Sequence, residues 1–123
     1  MVEQKVTKKR VLLAEDENQV REAIRLLLTV DEHRVTVARD GKEALSIYKP
    51  GEFDLVITDF VMPRMQGDEL TTEIKKLAPN QPVLMISAYT REANLTNTPA
   101  DALLSKPFSF ADLRAAIARL VVN

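Results

Sequence analysis

Five short apolar runs alternate with amphipathic stretches along the chain, and no other feature restricts its fold so tightly. The runs are Val11-Leu12-Leu13-Ala14, Arg34 to Ala38, Asp54 to Thr58, Pro82 to Ile86 and Ala102 to Leu104. The first, third and fourth are continuous rather than alternating, the pattern of strands covered on both faces. Between them, apolar residues recur at helical spacing. The sets are Val20, Ile24, Leu27 and Leu28; Ala44, Leu45 and Tyr48; Leu70, Ile74 and Leu77; and Phe110, Leu113, Ile117, Leu120 and Val121. The acidic run Glu15-Asp16-Glu17 suits the start of the first helix, Asp40-Gly41 opens the second, Pro79 closes the third, and Ser109 is placed to cap the last.

Alternation of this kind predicts an α/β fold. The expected form is a flavodoxin-like, doubly wound, five-stranded parallel sheet in the order 2-1-3-4-5, with helices on both faces. The stretch from Tyr89 to Asp101 departs from the pattern. Asn94, Thr96, Asn97 and Thr98 are poor helix formers and Pro99 blocks continuation, so a shortened or irregular fourth helix is expected there, with low local stability. With 123 residues the chain is expected to form one domain over 9–123 behind a polar lead-in, 1–8, and no second domain is expected after Val122.

Composition removes whole classes of chemistry. There is no cysteine, which excludes disulfides, thiolate metal sites and a cysteine nucleophile. With His33 the sole histidine, a multi-histidine zinc site is excluded, and a Ser-His-Asp triad would have to use that residue. A net charge of −1 leaves no electrostatic footprint for direct nucleic-acid binding. The polar start, with Lys5, Lys8, Lys9 and Arg10, has no secretory apolar stretch, and no run reaches the ~18 apolar residues of a membrane span. A cytoplasmic location without membrane insertion is the expectation.

In an open parallel sheet, ligands bind beyond the carboxyl ends of the strands, where strand order reverses. Here those ends offer Glu15 and Asp16, then Asp59, then Ser87 and Ala88, then Lys106. Each alone has an ordinary reading as a helix start, a turn, a cap or a solvated charge. Together they place carboxylates, a hydroxyl and an ammonium from four strand ends at one edge. Crowded carboxylates must take up protons or bind a cation, and an all-oxygen set selects a hard one such as Mg²⁺. A carboxylate beside Mg²⁺ is a nucleophile for a phosphoryl group, and a lysine, a hydroxyl and a backbone N–H are the groups that hold phosphoryl oxygens.

The run Val11 to Glu17, the segment Asp54 to Gly67 with Asp59, Met62-Pro63 and Gly67, the segment Pro82 to Ala88, and Leu104 to Phe108 resemble the receiver domain of bacterial two-component response regulators. The resemblance extends from about Lys9 to Val121. It implies phosphorelay signalling, with Asp59 as phosphoacceptor. It implies Mg²⁺ held by Asp16, Asp59 and the Val61 carbonyl with help from Glu15, and phosphoryl oxygens held by Ser87, the Ala88 N–H and Lys106. The Lys106–Pro107 bond is implied to be cis. A histidine kinase or histidine phosphotransfer protein is the implied donor. An output partner and a monomeric or weakly dimeric state are also implied, for a free-standing protein or the receiver of a larger hybrid kinase or regulator. Such a domain assists its own phosphorylation and dephosphorylation but is not an enzyme in the ordinary sense.

The sequence departs from the common pattern at Glu15, where aspartate is usual, at Leu103, where an aromatic is usual, and in the segment after Ser87. In the family it resembles, the residues two past the acceptor and two past the hydroxyl influence attack by water; here they are Val61 and Tyr89, so slow self-dephosphorylation is expected. The alternative function is a pseudo-receiver that binds protein without phosphate. A haloacid-dehalogenase phosphatase would need its nucleophile on the first strand. A flavodoxin would need hydroxyls and glycine where this chain has Glu15-Asp16-Glu17.

Overall fold

The computed structural model describes residues 6–88 and 98–122. Its strands are β1 (Arg10–Ala14), β2 (Arg34–Ala38), β3 (Leu55–Asp59), β4 (Val83–Ser87) and β5 (Ala102–Ser105). All pair in parallel, in the order β2-β1-β3-β4-β5. The helices are α1 (Asn18–Val30), α2 (Gly41–Ile47), α3 (Gly67–Leu77) and α4 (Phe110–Leu120). The doubly wound order is therefore the one expected. The segment expected to form an irregular helix falls largely on 89–97, outside the described residues. None of the described helices is long and apolar enough to cross a membrane.

The two faces of the sheet divide the core by the two-residue period of the strands. Val11, Leu13, Leu55, Ile57, Leu84 and Ile86 point to the side covered by α1 and α4, where Ile24, Leu28, Leu113 and Ile117 meet them. Leu12, Ala14 and Val56 point to the other side, under Ala44 of α2 and Leu70 and Ile74 of α3. β3 and β4 are buried throughout and β1 is buried from Val11, whereas the edge strands β2 and β5 are partly exposed. At about 1.5–3 kcal/mol for each fully buried large aliphatic side chain, the central strands supply much of the driving force for folding.

Three local expectations need correction. The acidic run precedes α1 rather than filling its first turn: Glu17 is the N-cap, makes no side-chain cap bond, and no acid lies in that turn. Leu77 is 55% exposed: the buried face of α3 is Gly67, Leu70, Thr71 and Ile74, continued by Ala78, and Leu77 lies at its margin. Asp59 and Ser87 are the last residues of β3 and β4 rather than the first residues beyond them. The other end signals operate as expected. The Asp40 side chain accepts from the Glu43 N–H at 2.8 Å, and Ser109 and Asp112 form a reciprocal capping box.

The start of β5 is fixed by one carboxylate. Asp101 accepts from the Val83 N–H at 2.8 Å and from the Lys75 ammonium at 2.7 Å, while its own N–H donates to the Val83 carbonyl at 2.9 Å. This sets the β4–β5 register and so brings Lys106, one residue past β5, to the same sheet edge as Ser87.

Candidate functional site

The carboxyl ends of β1, β3, β4 and β5 enclose a cleft of about 260 Å³ lined by Asp16, Glu17, Asp59, Val61, Ser87, Ala88 and Lys106. Among the described residues, Glu15, Asp16, Asp59, Val61, Ser87, Ala88 and Lys106 all lie in or beside it. One carboxylate oxygen from each of Glu15, Asp16 and Asp59 lies within 4.8 Å of the other two. Lys106 reaches across from the far strand. Its Nζ lies 3.3 Å from Glu15 Oε1 and 3.2 Å from Asp59 Oδ2. The Lys106 N–H donates to the Ser87 carbonyl at 3.0 Å, and the Lys106–Pro107 bond is cis.

The three acids occupy different environments. Glu15 is 1% exposed and Asp59 8% exposed, whereas Asp16 is exposed at the rim. The remaining Glu15 oxygen accepts from the Glu17 N–H at 3.1 Å, and Asp59 Oδ1 accepts from the Phe60 N–H at 2.9 Å. Burial pushes the Glu15 carboxyl up to about 7; the Asp59 charge adds to that, and the Glu17 N–H and Lys106 oppose it. Burial likewise raises the Asp59 carboxyl from its ordinary value, against the pull of Lys106. Lys106 is itself partly desolvated, yet Asp59 and Glu15 together hold its pKa above the usual value.

The donor set fits a hard divalent cation. Three carboxylates gather beside one ammonium, all the ligand atoms are oxygens, and burial raises two of the acids. Asp16 and Val61 line the cleft and are both exposed to solvent. Ser87 is buried and Ala88 exposed at the opposite wall. On one side the cleft continues into an apolar groove of about 620 Å³ between α1 and the β5–α4 loop, to which Ala88 and Lys106 also contribute.

Two contributions to the site carry no signature that strand ends or helical periodicity would reveal. Arg21, one turn into α1, donates to the Glu15 carbonyl at 2.9 Å and the Asp16 carbonyl at 3.4 Å, which fixes the β1–α1 turn that carries both acids. Gly67 packs so closely on the end of β3 that a Cβ there would lie 2.1 Å from the Asp59 carbonyl oxygen. A glycine at that spacing after Asp59 is legible in the sequence, but its reason is visible only in the close approach. Tyr89 lies outside the described residues.

Relatives carry the same arrangement of elements. A family model described as the response regulator receiver domain matches residues 11–118. The sensor kinase CckA of Brucella abortus is 38% identical over 116 residues, which are 90% of this chain and 12% of that protein. The response regulator MprA of Mycolicibacterium vanbaalenii is 33% identical over 90% or more of this chain (91%) and 50% of its own length. The chain thus spans about half the length, or less, of these curated relatives. Among solved structures, the response regulator TrrA of Thermotoga maritima in complex with Mg²⁺-BeF superposes with a TM-score of 0.84 at 32% identity, over 92% of this chain and 99% of that one. With the sheet order, the acidic edge and the match over 11–118 in agreement, this chain belongs to the response regulator receiver domains of two-component signalling.

Proposed function

We propose that the cleft accepts a phosphoryl group on Asp59 from a histidine kinase or a histidine phosphotransfer protein, with Mg²⁺ as cofactor. The observation that carries this reading is the Lys106 ammonium held between Asp59 and Glu15 at 3.2 and 3.3 Å, with Asp16 at the same edge. Asp16, Asp59 and the Val61 carbonyl are the proposed metal ligands, with Glu15 behind them. When bound, the ion neutralises charge on the phosphoryl oxygens and so lowers the barrier to attack by an anion.

The protein's own groups do the positioning. The Phe60 N–H on Oδ1 and Lys106 on Oδ2 fix the plane of the Asp59 carboxylate. An Asp59 oxygen attacks phosphorus, the P–N bond of the donor phosphohistidine breaks, and its electron pair returns to the imidazole. An acyl phosphate on Asp59 is the product. Lys106, the Ser87 hydroxyl and the Ala88 N–H are the proposed partners of the transferred oxygens. The apolar groove continuous with the cleft supports a protein donor over a small molecule alone, since it offers a surface for the donor to bury. The domain is then a phosphoacceptor over 9–123, behind a lead-in over 1–8, and the relatives' greater length supports a place for it within a larger signalling protein.

Acetyl phosphate and Mg²⁺ test the reading. Intact-mass spectrometry is expected to show one added phosphoryl group on the parent and none on Asp59→Asn, with EDTA abolishing the label. Equal labelling of Asp59→Asn would reject the acceptor. No labelling of the parent, under conditions in which another receiver is labelled, would favour a phosphate-independent protein-binding module.

A further inference from the structure

The loop from β3 to α3 carries Val61 to the edge of the acidic cleft, and the Asp59 carboxylate meets that loop at its base, where Oδ1 accepts from the Phe60 N–H at 2.9 Å. Its base is closed by the Phe60 N–H, which donates to the Ile86 carbonyl at 2.9 Å, and by the Gly67 N–H, which donates to the Phe60 carbonyl at 2.8 Å. Met62 is buried beside them. The tip is held by other means. Arg64 adopts φ 69°, in the left-handed region that a side chain with a Cβ disfavours, and the Met65 N–H donates back to the Pro63 carbonyl at 2.8 Å.

What fastens that tip is the start of α2. The Arg64 guanidinium forks onto Asp40, with Nε 3.1 Å from Oδ2 and Nη2 3.2 Å from Oδ1 and 3.0 Å from Oδ2. Asp40 is itself immobilised, because its Oδ1 caps α2 by accepting from the Glu43 N–H at 2.8 Å. Beside it Gly41 lies against the loop so tightly that a Cβ would stand 2.3 Å from the Met65 carbonyl oxygen. Two adjacent residues of α2's N-terminus therefore grip two adjacent residues of the loop, just beyond Val61.

We propose that the Asp40–Arg64 pair is a positioning latch, which holds the β3–α3 loop against α2 and thereby keeps the Val61 backbone where the cleft can bind a divalent cation. The inference rests on the reading that the cleft takes Mg²⁺. A pair with Arg64 59% and Asp40 15% exposed contributes little to global stability. A bidentate fork on a strained residue is, by contrast, an arrangement suited to fixing one loop geometry.

The test is a titration of the unphosphorylated full chain with Mg²⁺ alone, at constant ionic strength, followed by the NMR amide shifts of residues 15–17 and 59–62. Arg64→Gly removes the fork and at the same time suits the left-handed backbone. Asp40→Asn removes the charge but retains a good helix cap. Each is expected to weaken Mg²⁺ binding about threefold to tenfold, with melting temperatures close to the parent's and the double variant no weaker than the weaker single. Arg64→Lys is expected to fall between parent and Arg64→Gly. Plain long-range electrostatics predicts opposite signs, since loss of a cation would tighten Mg²⁺ and loss of an anion would weaken it. Parent-like or tighter binding by Arg64→Gly, or additive losses in the double variant, would overturn the latch. An Asp16→Asn variant separates the two ideas. If it loses Mg²⁺ while Arg64→Gly does not, the latch fails and the metal cleft stands. If Asp16→Asn binds like the parent, the metal reading fails and takes the latch with it.

Discussion

Glu15 shares Lys106 with Asp59 in the interior of the cleft, while its neighbour Asp16 stands exposed at the rim. The division follows from strand geometry and side-chain length. Glu15 directly follows β1 and turns inward toward β5, and its extra methylene lets the carboxylate reach Lys106. Because burial raises Glu15 from 4.5 to about 7, the folded chain holds more protons there than the unfolded chain between those values. Its contribution to stability is therefore greatest below pH 4.5 and is lost as pH rises through about 7. Glu15→Gln mimics the neutral form. We expect it to melt higher than the parent above pH 7 in EDTA, with the gain shrinking on acidification and on addition of Mg²⁺. Thermal denaturation at several pH values with and without Mg²⁺ checks this. A pH-independent difference would show that the Glu15 charge is not what the interior resists.

The elements differ in how their ends are secured. At α4, Ser109 Oγ accepts from the Asp112 N–H at 3.0 Å and an Asp112 oxygen accepts from the Ser109 N–H at 3.0 Å, so two otherwise orphan donors are satisfied. Ser109→Ala is expected to cost about 1 kcal/mol, a drop of about 3–5 °C in the melting temperature for a domain of this size, measurable by calorimetry. α1 has no such side-chain cap and relies on Arg21 folding back over the turn that precedes it. The Ser109 cap was legible because it is local, a serine immediately before an apolar helical period, whereas the return bond to Asp112 appeared only in the structure. The exposure of Leu77 was not legible, because helical periodicity assigns a residue to a face without saying how wide the buried part of that face is.

Across the whole molecule, the end of α1 ties together three parts of the fold. Asp31 accepts a bidentate pair from Arg114 of α4 at 2.9 and 2.8 Å, and the Arg114 guanidinium lies 4.0 Å over the Phe110 ring. Two residues on, buried His33 accepts from the Lys9 N–H through Nδ1 at 3.0 Å, which joins the approach to β1 to the start of β2. Burial lowers the His33 pKa below 6.5, with Asp31 opposing and Lys9 reinforcing. The unfolded chain therefore takes up the proton first as pH falls. The contribution of His33 is complete above about pH 6.5 and declines as pH drops from there through the folded value. We expect the stability advantage of the parent over His33→Gln, measured by urea denaturation, to narrow below pH 6.5. An advantage constant from pH 7.5 to 5 would refute the neutral, accepting imidazole. Glu15 and His33 titrate with opposite signs over overlapping ranges, so the metal-free parent should have a flatter profile than either variant.

By itself the sequence determined the sheet order and the edge at which the chemistry gathers. Apolar runs and helical spacing are local periodicities, and parallel connection forces every strand's carboxyl end to one side. That is why Asp16, Asp59, Ser87 and Lys106 could be placed together although Lys106 lies 91 residues from Glu15. Only the tertiary structure decided which acid is buried, that Lys106 bridges Glu15 and Asp59, that Gly67 is required by its contact with the Asp59 backbone, and that Asp40 grips Arg64. Those outcomes depend on approaches of a few ångströms between loops, and the pattern of apolar and polar residues along a strand or helix carries no information about the distance between two turns.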